Sequence, residues 1–195
     1  MTSTRSAIQI PEWEEMNRRT SWIEWNTRSL ALAALLAALY GGYVFYFAFA
    51  SFGPLQVRLV DAFLPLSIVF GPPAIVGVTL GCFIGNFFGS PYGIVDILGG
   101  PAANLAAATL AWVITRKKFK GGWLIAIAVE IAVVSVIVGT YLVALGAAPN
   151  VPPWVGWLEF LGSEVVAIGI LGYPLLGGVA KATERNPVLR PQNPS

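Results

Sequence analysis

Arg58, Asp61, Asp96, Glu159 and Glu164 are ionisable side chains set within apolar stretches of this 195-residue chain. A charge in hydrocarbon costs at least about 2.5 kcal/mol, and such groups mark pockets or pathways. Ionised together, the five would carry one positive and four negative charges, a net of −3. Carboxylates left uncompensated in a low dielectric take up protons, and a cationic, donor-rich ligand would satisfy them instead. Asn86, Asn104 and Gln56 add neutral donors and acceptors nearby. Arg58 and Asp61 are three apart and could pair on one helix face. Glu159 and Glu164 are five apart, which turns them about 140° around a helix. At most one can lie centrally in a pocket, and the deeper Glu164 is expected there. Glu130 stands apart, with a separate role.

Catalysis finds little support among these residues. With no histidine and Cys82 as the one cysteine, a serine–histidine hydrolase site, a zinc site of the usual ligands and a disulfide framework are excluded. Asp96 and Glu164 could form an acid–base pair, but no paired nucleophile accompanies them. No phosphate loop of the Walker type is present. Neither a catalytic residue, a metal ligand nor a cofactor is assigned.

The residues must be positioned by membrane helices. Mean hydropathy is +0.70, only 11% of residues are charged, and apolar runs are long, which places the chain in the membrane class. The basic residues form short clusters between those runs, giving no nucleic-acid surface. A span needs about 20 apolar residues. Such runs occupy 28–50, 57–71, 72–90, 92–115, 123–146 and 154–180, the second being short. Gly71-Pro72-Pro73 predicts a tight re-entry between the second and third. No secretory signal peptide is apparent ahead of the first run.

Arg18, Arg19 and Arg28, then Arg116, Lys117, Lys118 and Lys120, then Lys181, Arg185 and Arg190 all fall on one side of a six-span protein. That side is the cytoplasm. The expected architecture is therefore all-α and integral to the membrane, a six-helix bundle with both termini cytoplasmic. Residues 1–27 form a cytoplasmic or interfacial segment, 28–180 the membrane domain and 181–195 a flexible tail. Ile8 to Trp25 mixes charge with tryptophans and suits an interfacial amphipathic helix or a disordered leader. Arg58, Asp61, Asp96, Glu159 and Glu164 then all lie in the outer half.

Small residues recur four apart in the first span as Ala33/Ala37/Gly41 and Ala34/Ala38/Gly42. The stripe fits close packing within the bundle or against a membrane partner. Gly77, Gly81, Gly85 and Gly89 repeat the spacing in the third span and predict internal packing, leaving Cys82 and Asn86 on a neighbouring stripe. Asp96, Gly100 and Asn104 make a narrow polar face that must look inward. Aromatic residues crowd the outer side. Most are expected to face lipid, while any that turn inward could stack a flat ring.

Several motifs resemble a known family. Gly53-Pro54-Leu55-Gln56-Val57-Arg58, followed by Asp61-Ala62-Phe63-Leu64-Pro65, resembles the signature after the first helix of the queuosine-precursor transporter (QueT) family. Gly81-Cys82-Phe83-Ile84-Gly85-Asn86, Asp96-Ile97-Leu98-Gly99-Gly100, Gly162-Ser163-Glu164 and Leu171-Gly172-Tyr173-Pro174-Leu175 resemble its pattern in order and spacing, across about residues 30 to 180. The family carries serine then glutamate where this chain has Val60 and Asp61, and this N-terminal stretch is longer.

The resemblance implies a six-helix S component of an energy-coupling factor (ECF) transporter. It would capture queuine or a related deazaguanine from outside and work with a transmembrane coupling protein and two ATPases. It also implies that Ala33, Ala34, Ala37 and Ala38 dock on the coupling protein. On this reading Glu164 or Asp96 takes the ring edge, and Asp61 or Glu159 takes a protonated amine. Asn86 and Gln56 reach the ring carbonyl, and Arg58 orients Asp61. The alternatives are an S component for another vitamin-like heterocycle, a solitary carrier without ATPases, or a non-catalytic scaffold.

Overall fold

A computed structural model describes residues 25–48, 58–117, 119–146 and 152–186. Gln56, Gly53 and Pro54, the stretch from Ile8 to residue 24, residues 147–151 and those beyond 186 lie outside the described residues. Those described form helices α1 (Thr27–Tyr46), a 3₁₀ helix (Leu59–Leu66) running directly into α2 (Ser67–Phe70), α3 (Pro72–Gly89), α4 (Ile94–Thr115) and α5 (Gly122–Ala144). They end with α6 (Pro153–Glu164), a π-helix (Val165–Gly172) and α7 (Tyr173–Arg185). Helices α1, α3, α4 and α5 and the continuous Pro153–Arg185 rod are each long and apolar enough to cross a membrane. Leu59–Phe70 is the shorter apolar helix.

That short segment is overwound for most of its length. A 3₁₀ helix rises about 2.0 Å per residue against about 1.5 Å in an α-helix, so the segment reaches about 22 Å. Pro65 lies inside it and contributes no backbone donor. Gly71 then reverses the chain at φ 61°, and Pro72 and Pro73 open α3 in the first turn, where a missing N–H costs nothing. A β-carbon at Gly71 would also stand 2.8 Å from the Trp112 indole nitrogen. Glycine is required there twice over.

Helix α1 packs closely on α3. A β-carbon on Gly77 would stand 2.8 Å from the Ala33 carbonyl oxygen, one on Gly81 2.6 Å from Tyr40 Cβ, and one on Gly85 2.6 Å from Val44 Cβ. The glycine register thus forms a groove for Ala33, Leu36, Ala37, Tyr40 and Val44, all buried.

The 3₁₀ helix packs against the π-helix. At their contact a β-carbon on Gly172 would stand 3.0 Å from Pro65 and 3.2 Å from the Ala62 carbonyl oxygen. Pro174 gives no N–H to the turn before it, where the hydrogen bonding departs from the α pattern. Exposed Leu35, Leu39, Phe45, Phe87, Phe88, Leu98 and Leu105 cover the outside with apolar surface, as contact with lipid tails demands.

Gly81→Val should lower the thermal unfolding midpoint of the detergent-solubilised protein, an overpacking cost of about 1–3 kcal/mol. Gly42→Ala, whose β-carbon meets nothing within 4 Å, should leave the midpoint unchanged. Circular dichroism melts of both variants check the contrast.

Candidate functional site

Two hydrogen-bonded networks meet in the bundle. The first is centred on Asp96, in the opening turn of α4 after Gly93 at φ 66°. Arg58 Nη2 donates to Asp96 Oδ2 at 3.3 Å, and the Tyr141 hydroxyl from α5 donates to Oδ1 at 2.5 Å. Asn86 Nδ2 from α3 donates to the Asp96 backbone carbonyl at 2.8 Å. The helix N-terminus adds its partial positive charge.

Two glycines make this convergence possible. A β-carbon on Gly99 would stand 2.8 Å from the Tyr141 ring, and one on Gly100 would stand 2.5 Å from Asn86 Nδ2. Any larger pair here would push α5 or α3 away from Asp96.

The second network begins on the same face of α4. Asn104 Nδ2 donates at 2.9 Å to the hydroxyl of Tyr40 on α1, and that hydroxyl donates to Asp61 Oδ1. Asp61 lies on the 3₁₀ helix, and its carboxyl faces that of Glu164 within hydrogen-bonding reach. Glu164 is the last residue of α6, where the α winding gives way to the π-helix. No donor among the described residues bonds either oxygen of Glu164, nor is Asn86 Oδ1 bonded. Arg58, Asp61, Asn86, Asp96, Asn104 and Glu164 are all at most 2% exposed. Every crossing element therefore brings at least one polar side chain to this region.

The structure alters several sequence expectations. Arg58 pairs with Asp96 and not with Asp61. It caps the 3₁₀ helix at φ −93°, ψ 74°, outside the helical turn that a three-residue spacing assumes. Its side chain is therefore free to swing to α4, and Tyr40 takes over the orienting of Asp61. Glu159 is exposed on α6 and does not join the others, as its rotation of about 140° from Glu164 requires. Asn86 spends one of its two N–H donors on the Asp96 backbone, and its Oδ1 is left without a partner.

Ala33 and Ala37 are buried in the groove on α3, whereas Ala34, Ala38 and Gly42 remain exposed. The surface open to another protein is thus one stripe and not two. Glu130 is fully buried on α5 and accepts from Ser67 Oγ at 3.4 Å, apart from both networks.

Tyr40 and Tyr141 were missed because tyrosines in a span read as belt aromatics. Tyr40 carried a usable signal. It falls on the same helical stripe as Ala33, Leu36, Ala37 and Val44, and a buried phenol must find a partner.

A family model described as QueT transporter matches residues 30–181. No curated protein and no solved structure matches the chain. The family match and the five crossing helices together make this a multi-pass membrane protein.

Arg58→Met should cost about 3–5 kcal/mol of stability, because it strands a buried Asp96. Glu159→Gln, on the exposed face, should leave the melt unchanged. Unfolding of both in the same detergent, followed by fluorescence of the tryptophans, checks the pair.

Proposed function

Because the chain belongs to the QueT transporter family, we propose that it is the substrate-capturing S component of an ECF transporter for a queuosine precursor, queuine or a related 7-deazaguanine base. On this reading the chain performs no catalysis. ATP is hydrolysed by two partner ATPases, and a transmembrane coupling protein passes the motion on. Leu59–Phe70 serves as the short second of six crossing elements, both termini are cytoplasmic, and the polar networks lie toward the outside. Residues 1–27 form the interfacial segment, 28–180 the membrane domain and 181–195 the tail.

The observation that carries the substrate reading is a buried polar region with acceptors to spare. Glu164 and Asn86 Oδ1 await donors, and Asp61 stands opposite Glu164. A deazaguanine edge presents a ring N–H beside an exocyclic amine, which one carboxylate accepts in parallel. We assign that edge to Glu164, the protonated amine of queuine or the 7-aminomethyl base to Asp61, and a further ligand donor to Asn86. Asp96 is held by Arg58 and Tyr141 and forms the wall that fixes the site. Asn104 acts through Tyr40. Gln56, outside the described residues, keeps the role the resemblance implies for it, a contact to the ring carbonyl.

The docking face on this reading is Ala34/Ala38/Gly42, which is flat, exposed and flanked by Leu35 and Leu39. Small residues let a partner helix approach closely in lipid.

Queuine, the 7-aminomethyl base and the 7-cyano base should be titrated into the purified chain by calorimetry and thermal shift. At least one should bind, and a flat response to all three would overturn the substrate assignment in favour of another small heterocycle. Glu164→Gln should weaken binding tenfold or more, about 1.4 kcal/mol, with Asp96→Asn acting in the same direction through disorder of the wall. Replacing Ala34 and Ala38 together by Leu should abolish co-purification with the coupling protein while ligand binding persists. Uptake that continued in cells lacking the ATPases would identify a solitary carrier instead.

A further inference from the structure

At one point of the buried region an acceptor faces an acceptor. The carboxyl groups of Asp61 and Glu164 lie within hydrogen-bonding reach, both residues are at most 1% exposed, and no donor among the described residues bonds Glu164. The groups around the pair come from every neighbouring element. Tyr40 on α1 donates to Asp61, Cys82 lies on α3, Asp96 on α4 binds Arg58, and Glu130 on α5 feels the charge of Asp61. Arg58 is the cation of this set, and its guanidinium is bonded to Asp96. One positive charge therefore stands against three carboxyl groups, acting on Asp61 and Glu164 as well as on Asp96.

Two neighbouring carboxylates in a low-dielectric interior cannot both stay ionised, and such a pair shares a proton. We propose that the Asp61–Glu164 pair holds one proton in the empty site and releases it to water when a singly charged ammonium group of the ligand takes its place. The balance is simple. The empty pair is one carboxylic acid and one carboxylate. The occupied pair is two carboxylates, Asp61 bonded to the ammonium and Glu164 to the ring edge. Net site charge is the same before and after, so capture never requires an additional buried charge. A ligand without a cation leaves the proton where it is, and the site therefore favours a cationic side group on the ring over a neutral one. The choice of ligand rests on the reading under Proposed function, whereas the shared proton rests on the geometry alone.

Calorimetry in buffers of different ionisation enthalpy reads the proton directly. Binding of the 7-aminomethyl base at neutral pH should release about one proton per ligand, and binding of the 7-cyano base none. Glu164→Gln, which keeps the side-chain shape but cannot hold the proton, should bind the aminomethyl base more weakly and release none. Binding by the unaltered chain with no proton released, or a heat that follows sodium concentration instead of buffer, overturns the proposal.

Infrared spectroscopy of the ligand-free chain gives a test that needs no ligand. Of the protonated-carboxyl C=O bands, the same one should be lost in both Asp61→Asn and Glu164→Gln yet remain in Glu130→Gln, which removes a band of its own. If the band is insensitive to both changes at the pair, the shared proton is ruled out whichever ligand binds. Failure of all three bases to bind, with that band pattern intact, removes the substrate assignment and leaves the proton pair standing.

Discussion

Among the described residues a single guanidinium, that of Arg58, stands among the buried carboxyl groups of Asp61, Asp96 and Glu164, and Glu130 is buried on α5. Much of the architecture follows from that imbalance. Moving an ion out of water costs several kcal/mol even after the protein relaxes, and pairing recovers it only when the remaining hydrogen-bonding capacity is met. Asp96 meets that condition through partners on two other elements and through the end of its own helix. Tyr141 takes the second carboxylate oxygen, Asn86 ties the Asp96 backbone to α3, and the α4 N-terminus supplies a favourable field. The ion pair is thereby a fixed wall. The Asp61–Glu164 pair beside it has no such complement, and both Glu164 oxygens stay without a donor.

Close approach of backbones makes the wall possible, and glycine makes close approach possible. Gly99 and Gly100 clear space for a ring from α5 and an amide from α3. Gly77, Gly81 and Gly85 seat α1 deep enough for the Tyr40 hydroxyl to reach Asp61. In lipid there is no hydrophobic gain from bringing helices together, so association relies on packing and on interhelical hydrogen bonds. Here the two depend on each other, since each glycine contact positions a donor and each donor crosses between helices. The 3₁₀ and π windings add a further adjustment. One lengthens a segment of only twelve residues, Leu59–Phe70, and the other loosens the rod immediately after Glu164, so the two carboxyl groups meet where the backbone is least regular.

Legibility in the sequence divided along physical lines. Helix-length apolar runs, the turn at Gly71-Pro72-Pro73, the glycine register of α3 and the inward face of Asp96, Gly100 and Asn104 were all readable, because each follows from one segment's own periodicity or chain stiffness. Partner choice was not. Arg58 and Asp61 have the spacing of a helical pair, yet Arg58 sits before the first helical turn, a matter of two dihedral angles that no spacing encodes. Glu159 was counted with the cluster by depth alone, and its azimuth sends it outward. Tyr40 and Tyr141 escaped notice because their hydroxyls acquire meaning only from side chains on other helices. The 3₁₀ and π windings carry no pattern of their own, being imposed by Pro65, Pro174 and the contact at Gly172.

The separation of structural from available charge has a consequence for selectivity. A site in which every buried carboxylate was already paired would be stable but indifferent to the charge of its ligand. A site with no cation of its own would be too costly to fold. One arginine against three carboxyl groups lies between these limits. It supports one carboxylate as structure and leaves two acidic groups to share a proton or to receive a cation. On the proposal that the pair shares one proton, those outcomes hold the same net charge, and the site would discriminate by charge on loading. The single-methylene difference between Asp61 and the glutamate usual at that position then bears on distance and not on charge. It sets how far the Asp61 carboxyl extends from the 3₁₀ helix toward Glu164.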